Sequence, residues 1–182
     1  SHVARVNGDG SADAAFNPGR GSDGPVYALA TQADGKLIIG GAFTEYNSRR
    51  RNCIARLNPD GGLDFSYDPG DGADDAIYSI TMRPDGQPYI GGIFSSYNNT
   101  RRIGLALLRG DGTLDTHFMD QAYNQFAGVI RKFSFDPKNS VNAIALQPDG
   151  NLMIGGSFTN LGGNHPLQIN ESGSYSHVWT RQ

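Results

Sequence analysis

The chain repeats itself, and this constrains its fold more than any other feature of the sequence. Three long segments of similar sequence, residues 26–44, 77–95 and 141–159, each carry an Asp-Gly pair and then a Gly-Gly pair before a phenylalanine. The Asp-Gly pairs begin at residues 34, 85 and 149, so the steps are 51 and 64 residues. Repetition at this period is typical of propellers and arrays, in which each repeat buries its apolar face against the next.

A shorter segment follows each long one and also occurs once before them. Its copies begin at residues 7, 58, 109 and 170 and close on Phe16, Tyr67, Phe118 and Trp179. The first copy lacks a long segment of its own, so we expect it to be an orphan tail that belongs to a preceding repeat. The predicted organisation is a single repeat domain over 1–182, divided into a tail (1–22), repeat 1 (23–70), repeat 2 with an enlarged connection (71–140) and repeat 3 (141–182).

Each repeat reads as four short antiparallel strands. Asp-Gly between two apolar runs predicts a hairpin, because glycine accepts the positive φ of a tight turn. A third strand is expected at 53–58, 105–109 and 167–170, and a short fourth strand at the closing aromatic. The 25 glycines and 10% aromatic residues agree with many turns between short strands. The predicted fold class is all-β, a β-propeller-like array of four-stranded antiparallel blades with three complete repeats and the N-terminal tail.

Composition excludes several classes of function. The formal net charge is −3 and basic residues are scattered, which disfavours nucleic-acid binding. No apolar run approaches the ~18 residues of a membrane-spanning helix, so membrane insertion is not expected. The single cysteine, Cys53, cannot form an intrachain disulfide and reads as a small buried residue.

The sequence offers no convincing catalytic or metal-binding constellation. The four histidines share no short metal-ligand spacing, and no nucleophile elbow or phosphate-cradling loop occurs. The turns at 7–13 and 109–115 resemble part of a calcium loop but lack its final glutamate, and Asx turns explain them equally well. We expect neither a catalytic residue, nor a metal site, nor a cofactor.

Candidate ligand-binding residues come from the loops. Tyr46 with Arg50, and Tyr97 with Arg101, occupy equivalent places in repeats 1 and 2. An aromatic ring beside an arginine can stack on a sugar or hold an anionic group. The alternative is an outer loop with solvated arginines and a packed tyrosine. Tyr123 and Phe126, in the enlarged connection, do not recur, and such loops often carry specificity.

The other aromatic residues recur in register, which predicts packing between blades rather than contact with a ligand. This set comprises Phe16, Tyr27, Phe43, Tyr67, Tyr78, Phe94, Phe118, Phe158 and Trp179.

The repeat resembles a known family. The motif Tyr-Ala-Leu-Ala-x-Gln-x-Asp-Gly-Lys-Leu-Ile-Ile-Gly-Gly-x-Phe-Thr, from residue 27, precedes Ile-Ala-Arg-Leu-Asn-Pro-Asp-Gly-x-Leu-Asp, from residue 54. Together they resemble the delta-60 repeat, a bacterial tandem repeat of β-propeller type. Repeat 2 departs from the pattern at Pro88 and in the enlarged connection, and repeat 3 departs at 161–164 and 172–173.

The resemblance implies a bacterial protein that is extracellular or on the cell surface, and it supplies no catalytic residues. We therefore expect a non-catalytic binding module that recognises a surface glycan or a protein, as in adhesion. Two alternatives stay open, a structural spacer within a larger surface protein and a polysaccharide-active enzyme. Three repeats are too few for a closed propeller, so either further repeats or a homo-oligomer would complete the ring.

Overall fold

The computed structural model describes residues 2–119, 128–130, 139–161 and 178–179, and these residues form short antiparallel strands joined by turns. No helix occurs among them. Accordingly, this part of the chain contains no helix long and apolar enough to cross a membrane. The all-β, propeller-like prediction is confirmed.

Unit 1 contains a three-stranded sheet and a small hairpin. Its strands are β1 (Val26–Thr31), β2 (Leu37–Gly41), β3 (Glu45–Tyr46), β4 (Arg49–Arg50) and β5 (Ile54–Leu57). The sheet order is β1-β2-β5, and β3 pairs with β4 outside the sheet. The β1–β2 turn carries Gly35 at a φ of 82°, the positive value that an Asp-Gly turn requires.

Unit 2 repeats this arrangement 51 residues later. Its strands are β6 (Ile77–Met82), β7 (Pro88–Gly92), β8 (Ser96–Tyr97), β9 (Thr100–Arg101) and β10 (Leu105–Leu107). The sheet order is β6-β7-β10, with β8 and β9 forming the hairpin.

Unit 3 keeps the two inner strands and changes the outer ones. Its strands are β11 (Val129–Ile130), β12 (Ser140–Leu146), β13 (Leu152–Ser157), β14 (Asn160–Leu161) and β15 (Val178–Trp179). The sheet order is β12-β13-β15, and β11 pairs with β14. Trp179 was predicted to close the last shorter segment as part of a fourth strand. It lies instead in β15, the third strand of the sheet, and pairs with Leu152 of β13. The third strand predicted at 167–170 lies outside the described residues.

The predicted fourth strand shrinks to a single bridge. Leu57 bridges Leu63 in unit 1, and the same bridge recurs in unit 2 and in the tail. The strand stops there because the carboxylate of Asp64 accepts the N–H of Ser66 at 2.9 Å, which turns the chain. Units 1 and 2 therefore each have three paired strands, with a single bridge in place of the predicted fourth strand.

Adjacent units pack through glycine. A Cβ placed on Gly40 would lie 2.7 Å from Cγ2 of Ile77 in the next unit, and one on Gly91 would lie 2.7 Å from Cγ1 of Val141. The missing side chain lets the inner strand of the following unit lie directly on the sheet. In the described part of the chain, three apolar clusters fill the spaces inside and between the units.

The tail lies on unit 1 in the way that the outer part of unit 1 lies on unit 2. Arg5 donates to the carbonyl of Pro59 at 2.7 Å, and Arg56 donates to the carbonyl of Gly110 at 2.6 Å. The two donors, Arg5 and Arg56, are 51 residues apart, and so are the two acceptors, Pro59 and Gly110. The outer part of unit 1 therefore makes the same contact with the tail that the outer part of unit 2 makes with unit 1.

Candidate functional site

The two tyrosines predicted to stack on a ligand are fully buried. The Tyr46 hydroxyl donates to the carbonyl of Gly61 at 2.8 Å, and the Tyr97 hydroxyl donates to that of Gly112 at 2.7 Å. Burial raises the pKa of Tyr46 to about 12 and that of Tyr97 well above its ordinary value. A ring without exposed surface cannot stack on a ligand from solvent, so the structure corrects this assignment: both side chains fasten an outer hairpin to a turn.

The arginines of the same hairpins remain on the surface. Arg50 forms an exposed ion pair with Asp71 at 3.2 Å, and Arg101 is also exposed. Asn99 donates to the other oxygen of Asp71 at 2.7 Å, so this carboxylate links the hairpins of units 1 and 2. The structure does not bring the arginines together with exposed tyrosines. Tyr123 and Phe126 lie outside the described residues.

Aspartates hold both outer hairpins in place. Oδ1 of Asp23 accepts the N–H groups of Thr44 and Glu45 at 2.8 and 2.9 Å, and its Oδ2 accepts the Thr44 hydroxyl at 2.6 Å. These hydrogen bonds, above all that of the Thr44 hydroxyl, lower the pKa of Asp23 to about 2. Asp74 makes the same backbone contacts in unit 2. Such carboxylates stay ionised at neutral pH and accept the hydrogen bonds that hold the outer hairpins.

The turns that resemble calcium loops are closed by their own side chains. Oδ1 of Asp111 accepts the N–H of Thr113 at 2.9 Å and its hydroxyl at 2.7 Å, and Asp9 contacts Ser11 in the same way. This geometry is that of an Asx turn. Within the part of the chain that the structure describes, no three His, Cys, Asp or Glu residues stand close enough to hold a metal ion.

Cys53 is buried beside the second unit and is a poor nucleophile. Burial raises its thiol pKa to about 11, and the nearby Asp75 and Asp74 act in the same direction. The thiol is therefore protonated at neutral pH, whereas a reactive cysteine needs its thiolate.

An open aromatic surface lies elsewhere, on the innermost strands. The rings of Tyr27 on β1 and Tyr78 on β6 are 5.4 Å apart between centroids and tilted by 58°. Tyr27 is 51% exposed. The equivalent residue on β12 is Asn142, whose side chain is also exposed. We call Tyr27, Tyr78 and Asn142 the inner-strand row.

Each residue of this row lies in a β-bulge, which changes the direction of its side chain. The pairing register shifts between Val26 and Ala28, between Ile77 and Ser79 and between Val141 and Ala143, so the residue inside each shift is left out of the ladder. Bulges re-aim side chains in this manner. The glycine opposite each bulge has no room for a Cβ: on Gly41 it would collide with the carbonyl oxygen of Pro25.

Hydrogen bonds fix the inner strands of units 2 and 3 side by side. The Ser79 hydroxyl oxygen accepts the N–H of Ile144 at 3.1 Å, and the Thr81 hydroxyl donates to the carbonyl of Ile144 at 2.8 Å. In a propeller, the blades surround a central channel, and here the inner strands of adjacent units lie against one another. The strands that carry Tyr78 and Asn142 are therefore joined directly by hydrogen bonds.

Sequence reasoning missed this row because it interpreted every recurring aromatic residue as packing. One signal was available: where repeats 1 and 2 have tyrosine, repeat 3 has Asn142. A position that accepts asparagine in one repeat is unlike a buried packing position, which favours apolar residues.

Comparison with known proteins gives one family match. A family model described as "Domain of unknown function (DUF5122) beta-propeller" matches residues 32–67, 83–118 and 147–167. The three matched segments fall on successive units and together cover just over half of the chain. A search of curated proteins found no match.

Proposed function

We propose that this chain, which belongs to the DUF5122 beta-propeller family, is a non-catalytic module that binds a glycan through its inner-strand row. Within that family we assign its repeats to the delta-60 type, on the motif of repeat 1. We also propose that it acts outside the cell or on the cell surface, as the resemblance to that repeat implies.

The observation that carries the proposal is the contact between a half-exposed and a half-buried tyrosine ring on neighbouring inner strands, with an exposed asparagine at the equivalent place of the next inner strand. Tyr27 and Tyr78 are in contact, yet Tyr27 keeps half of its surface open to solvent. Large aromatic side chains usually bury their area in a core or an interface. Two rings on bulged inner strands form a small apolar platform, and the exposed Asn142 lies on the next inner strand.

The chemistry of this platform suits a sugar. A tyrosine face is apolar and can cover the C–H face of a pyranose, while its hydroxyl both donates and accepts hydrogen bonds. The amide of Asn142 adds donors and an acceptor of its own. Apolar surface with a few placed polar groups is the usual make-up of a small-molecule site.

The enzyme alternative receives no support from the described carboxylates. Hydrolysis of a glycosidic bond needs a carboxyl group with a raised pKa to act as the general acid. Hydrogen bonds instead lower the pKa values of Asp23 and Asp111, and in Asp74 burial opposes ionisation but the hydrogen bonds from Ser95 and Ser96 outweigh it and lower the pKa. We therefore propose binding without turnover.

A glycan array tests the proposal. The parent chain is expected to bind a subset of glycans saturably, and both Tyr27→Ala and Tyr78→Ala are expected to lose that binding. Arg50→Ala, which alters an exposed side chain of the outer hairpin, serves as the control and is expected to bind like the parent. Circular dichroism of each variant confirms that the fold is kept. Binding that survives in both tyrosine variants, or no binding to any glycan, would contradict the proposal.

A further inference from the structure

The tail contains the one Asn-Gly pair of the sequence, Asn7 and Gly8. Both residues are exposed. Within the described part of the chain, the N–H of Gly8 donates no hydrogen bond. A Cβ placed on Gly8 would meet no atom within 4 Å, so the space around this residue is open. The Gly8 nitrogen can therefore approach the side-chain amide of Asn7.

The equivalent turn of unit 1 has the same hydrogen bonds without this N–H. The backbone N–H and carbonyl of Asn7 form bonds of 2.8 and 2.9 Å that close the turn, and those of Asn58 form the same two bonds at the same lengths. The residue after Asn58 is Pro59, and proline has no N–H. The turn therefore does not need the N–H of Gly8, which is left free to react.

The Asp-Gly pairs, which could react in the same way, are protected by their turns. The N–H of each glycine donates to a backbone carbonyl at 2.9–3.0 Å. Oδ1 of each aspartate accepts the N–H of the residue two positions later. Both reacting groups are thus engaged. The protected pairs begin at residues 9, 34, 60, 85, 111 and 149.

We propose that Asn7 is a site of spontaneous deamidation. The Gly8 nitrogen loses its proton to solvent base and bonds to Cγ of Asn7, while the bond from Cγ to Nδ2 breaks and ammonia leaves. The resulting succinimide ring is opened by water. Attack at Cγ yields aspartate, and attack at the main-chain carbonyl yields isoaspartate, in which the main chain runs through Cβ and Cγ. No oxidant, metal or enzyme is required.

The modification loosens the tail. Isoaspartate adds one carbon to the main chain of the turn and places a carboxylate near that of Asp9. The turn joins Val6 to Ala12 in a bridge, and the N–H of Asp13 donates to the carbonyl of Arg5 at 2.9 Å beside it. Amide hydrogen exchange at Asp13 is therefore expected to be faster in the modified chain. Exchange equal to that of the unmodified chain would contradict this consequence.

Mass spectrometry of the aged chain tests the site. After incubation of the folded chain in mildly alkaline buffer, trypsin cleaves after Arg5 and Arg20 and releases a peptide that contains Asn7. This peptide is expected to gain the mass difference between an amide and a carboxyl group, and an isoaspartyl methyltransferase is expected to methylate it. Its other asparagine, Asn17, precedes proline and cannot close the ring. The rate is expected to rise in proportion to the hydroxide concentration.

Two variants at Gly8 test the role of its nitrogen. Gly8→Pro copies the turn of unit 1 and removes the N–H, so it is expected to abolish the mass gain. Gly8→Ala crowds the nitrogen with a Cβ and is expected to slow the reaction at least tenfold. Both are expected to keep the circular dichroism of the parent. A parent that gains no mass, an equal rate in Gly8→Pro, or an Asp-Gly pair that forms isoaspartate as fast as Asn7 would each overturn the proposal.

Discussion

At the residue scale, one hydroxyl fixes each outer hairpin to the turn that follows it. Tyr46 and Tyr97 are fully buried, and their hydroxyls donate to Gly61 and Gly112. Removing the hydroxyl leaves a buried carbonyl without its partner. We expect Tyr46→Phe and Tyr97→Phe each to lower the free energy of unfolding by about 1 kcal/mol, measured by urea denaturation. Tyr27→Phe is the control, and an equal loss there would contradict this role.

A second prediction concerns the buried ion pair between Arg56 and Asp64, whose Nε and Oδ2 atoms lie 2.8 Å apart. Replacing Arg56 by methionine leaves the buried carboxylate with Lys36, 2.9 Å away, as its one remaining charged partner among the residues that the structure describes. We expect a loss of about 3 kcal/mol in unfolding free energy.

The tail provides the matched control for this ion pair. Arg5 contacts Asp13 at 2.7 Å in the same geometry, but this pair is much more exposed. Exposed ion pairs contribute at most about 1 kcal/mol, so Arg5→Met is expected to cost far less than Arg56→Met. Equal losses in denaturant titrations would show that burial does not set the difference.

A third prediction follows from the aspartates. Burial opposes ionisation of Asp64, but hydrogen bonds, first from Lys36 and then from Ser66 and Arg56, hold its pKa well below the ordinary value, and the pKa of Asp23 is about 2. A depressed folded-state pKa stabilises the fold above the unfolded-state value near 3.8 and ceases to do so as the pH falls toward 2. Thermal stability is therefore expected to be level from pH 7 to 5 and to fall below about pH 4.

The variant Asp23→Asn serves as the comparison for the acid transition. It removes one titrating group that is ionised in the folded state, so its melting temperature is expected to depend less on pH than that of the parent between about pH 4 and 2. An unchanged slope would show that Asp23 does not contribute to acid unfolding.

At the element scale, glycine controls how closely the units approach. Alanine at Gly40 or Gly91 would place a Cβ 2.7 Å from a side chain of the next unit, so that unit must move. We expect each substitution to cost about 1–3 kcal/mol in unfolding free energy. Gly155→Ala is the control for fold stability, since no described atom lies near its Cβ. Chemical denaturation checks this, and a tolerated Gly91→Ala would refute close packing there.

The strands themselves were predictable from sequence, and the site was not. The Asp-Gly turns and the apolar runs beside them place β1, β2, β6 and β7, because turn geometry and alternation are local properties. The bulge at Tyr27 has Gly41 opposite it, where a Cβ would collide with the carbonyl oxygen of Pro25, and no local pattern reports this contact across the sheet. The sequence pattern likewise did not report that the fourth strand ends early, at Asp64.

At the scale of the whole molecule, repetition of the sequence explains the recurring packing of the fold. The clusters around Tyr46 and Tyr97 show the same packing twice, and the tail at Arg5 continues it. A sequence repeat predicts such contacts between neighbours. It does not predict which copy of a repeated residue reaches solvent, because exposure depends on whether a neighbour covers it.

The central claim, that recognition occurs on the inner strands rather than on the outer hairpins, is tested by one set of titrations. The dissociation constant of a glycan identified on the array would be measured by calorimetry for the parent and for Tyr27→Ala, Asn142→Ala and Arg50→Ala. We predict at least tenfold weaker binding for the first two variants and unchanged binding for Arg50→Ala. Unchanged binding in the first two, with loss in Arg50→Ala, would place the site on the outer hairpins and contradict the claim.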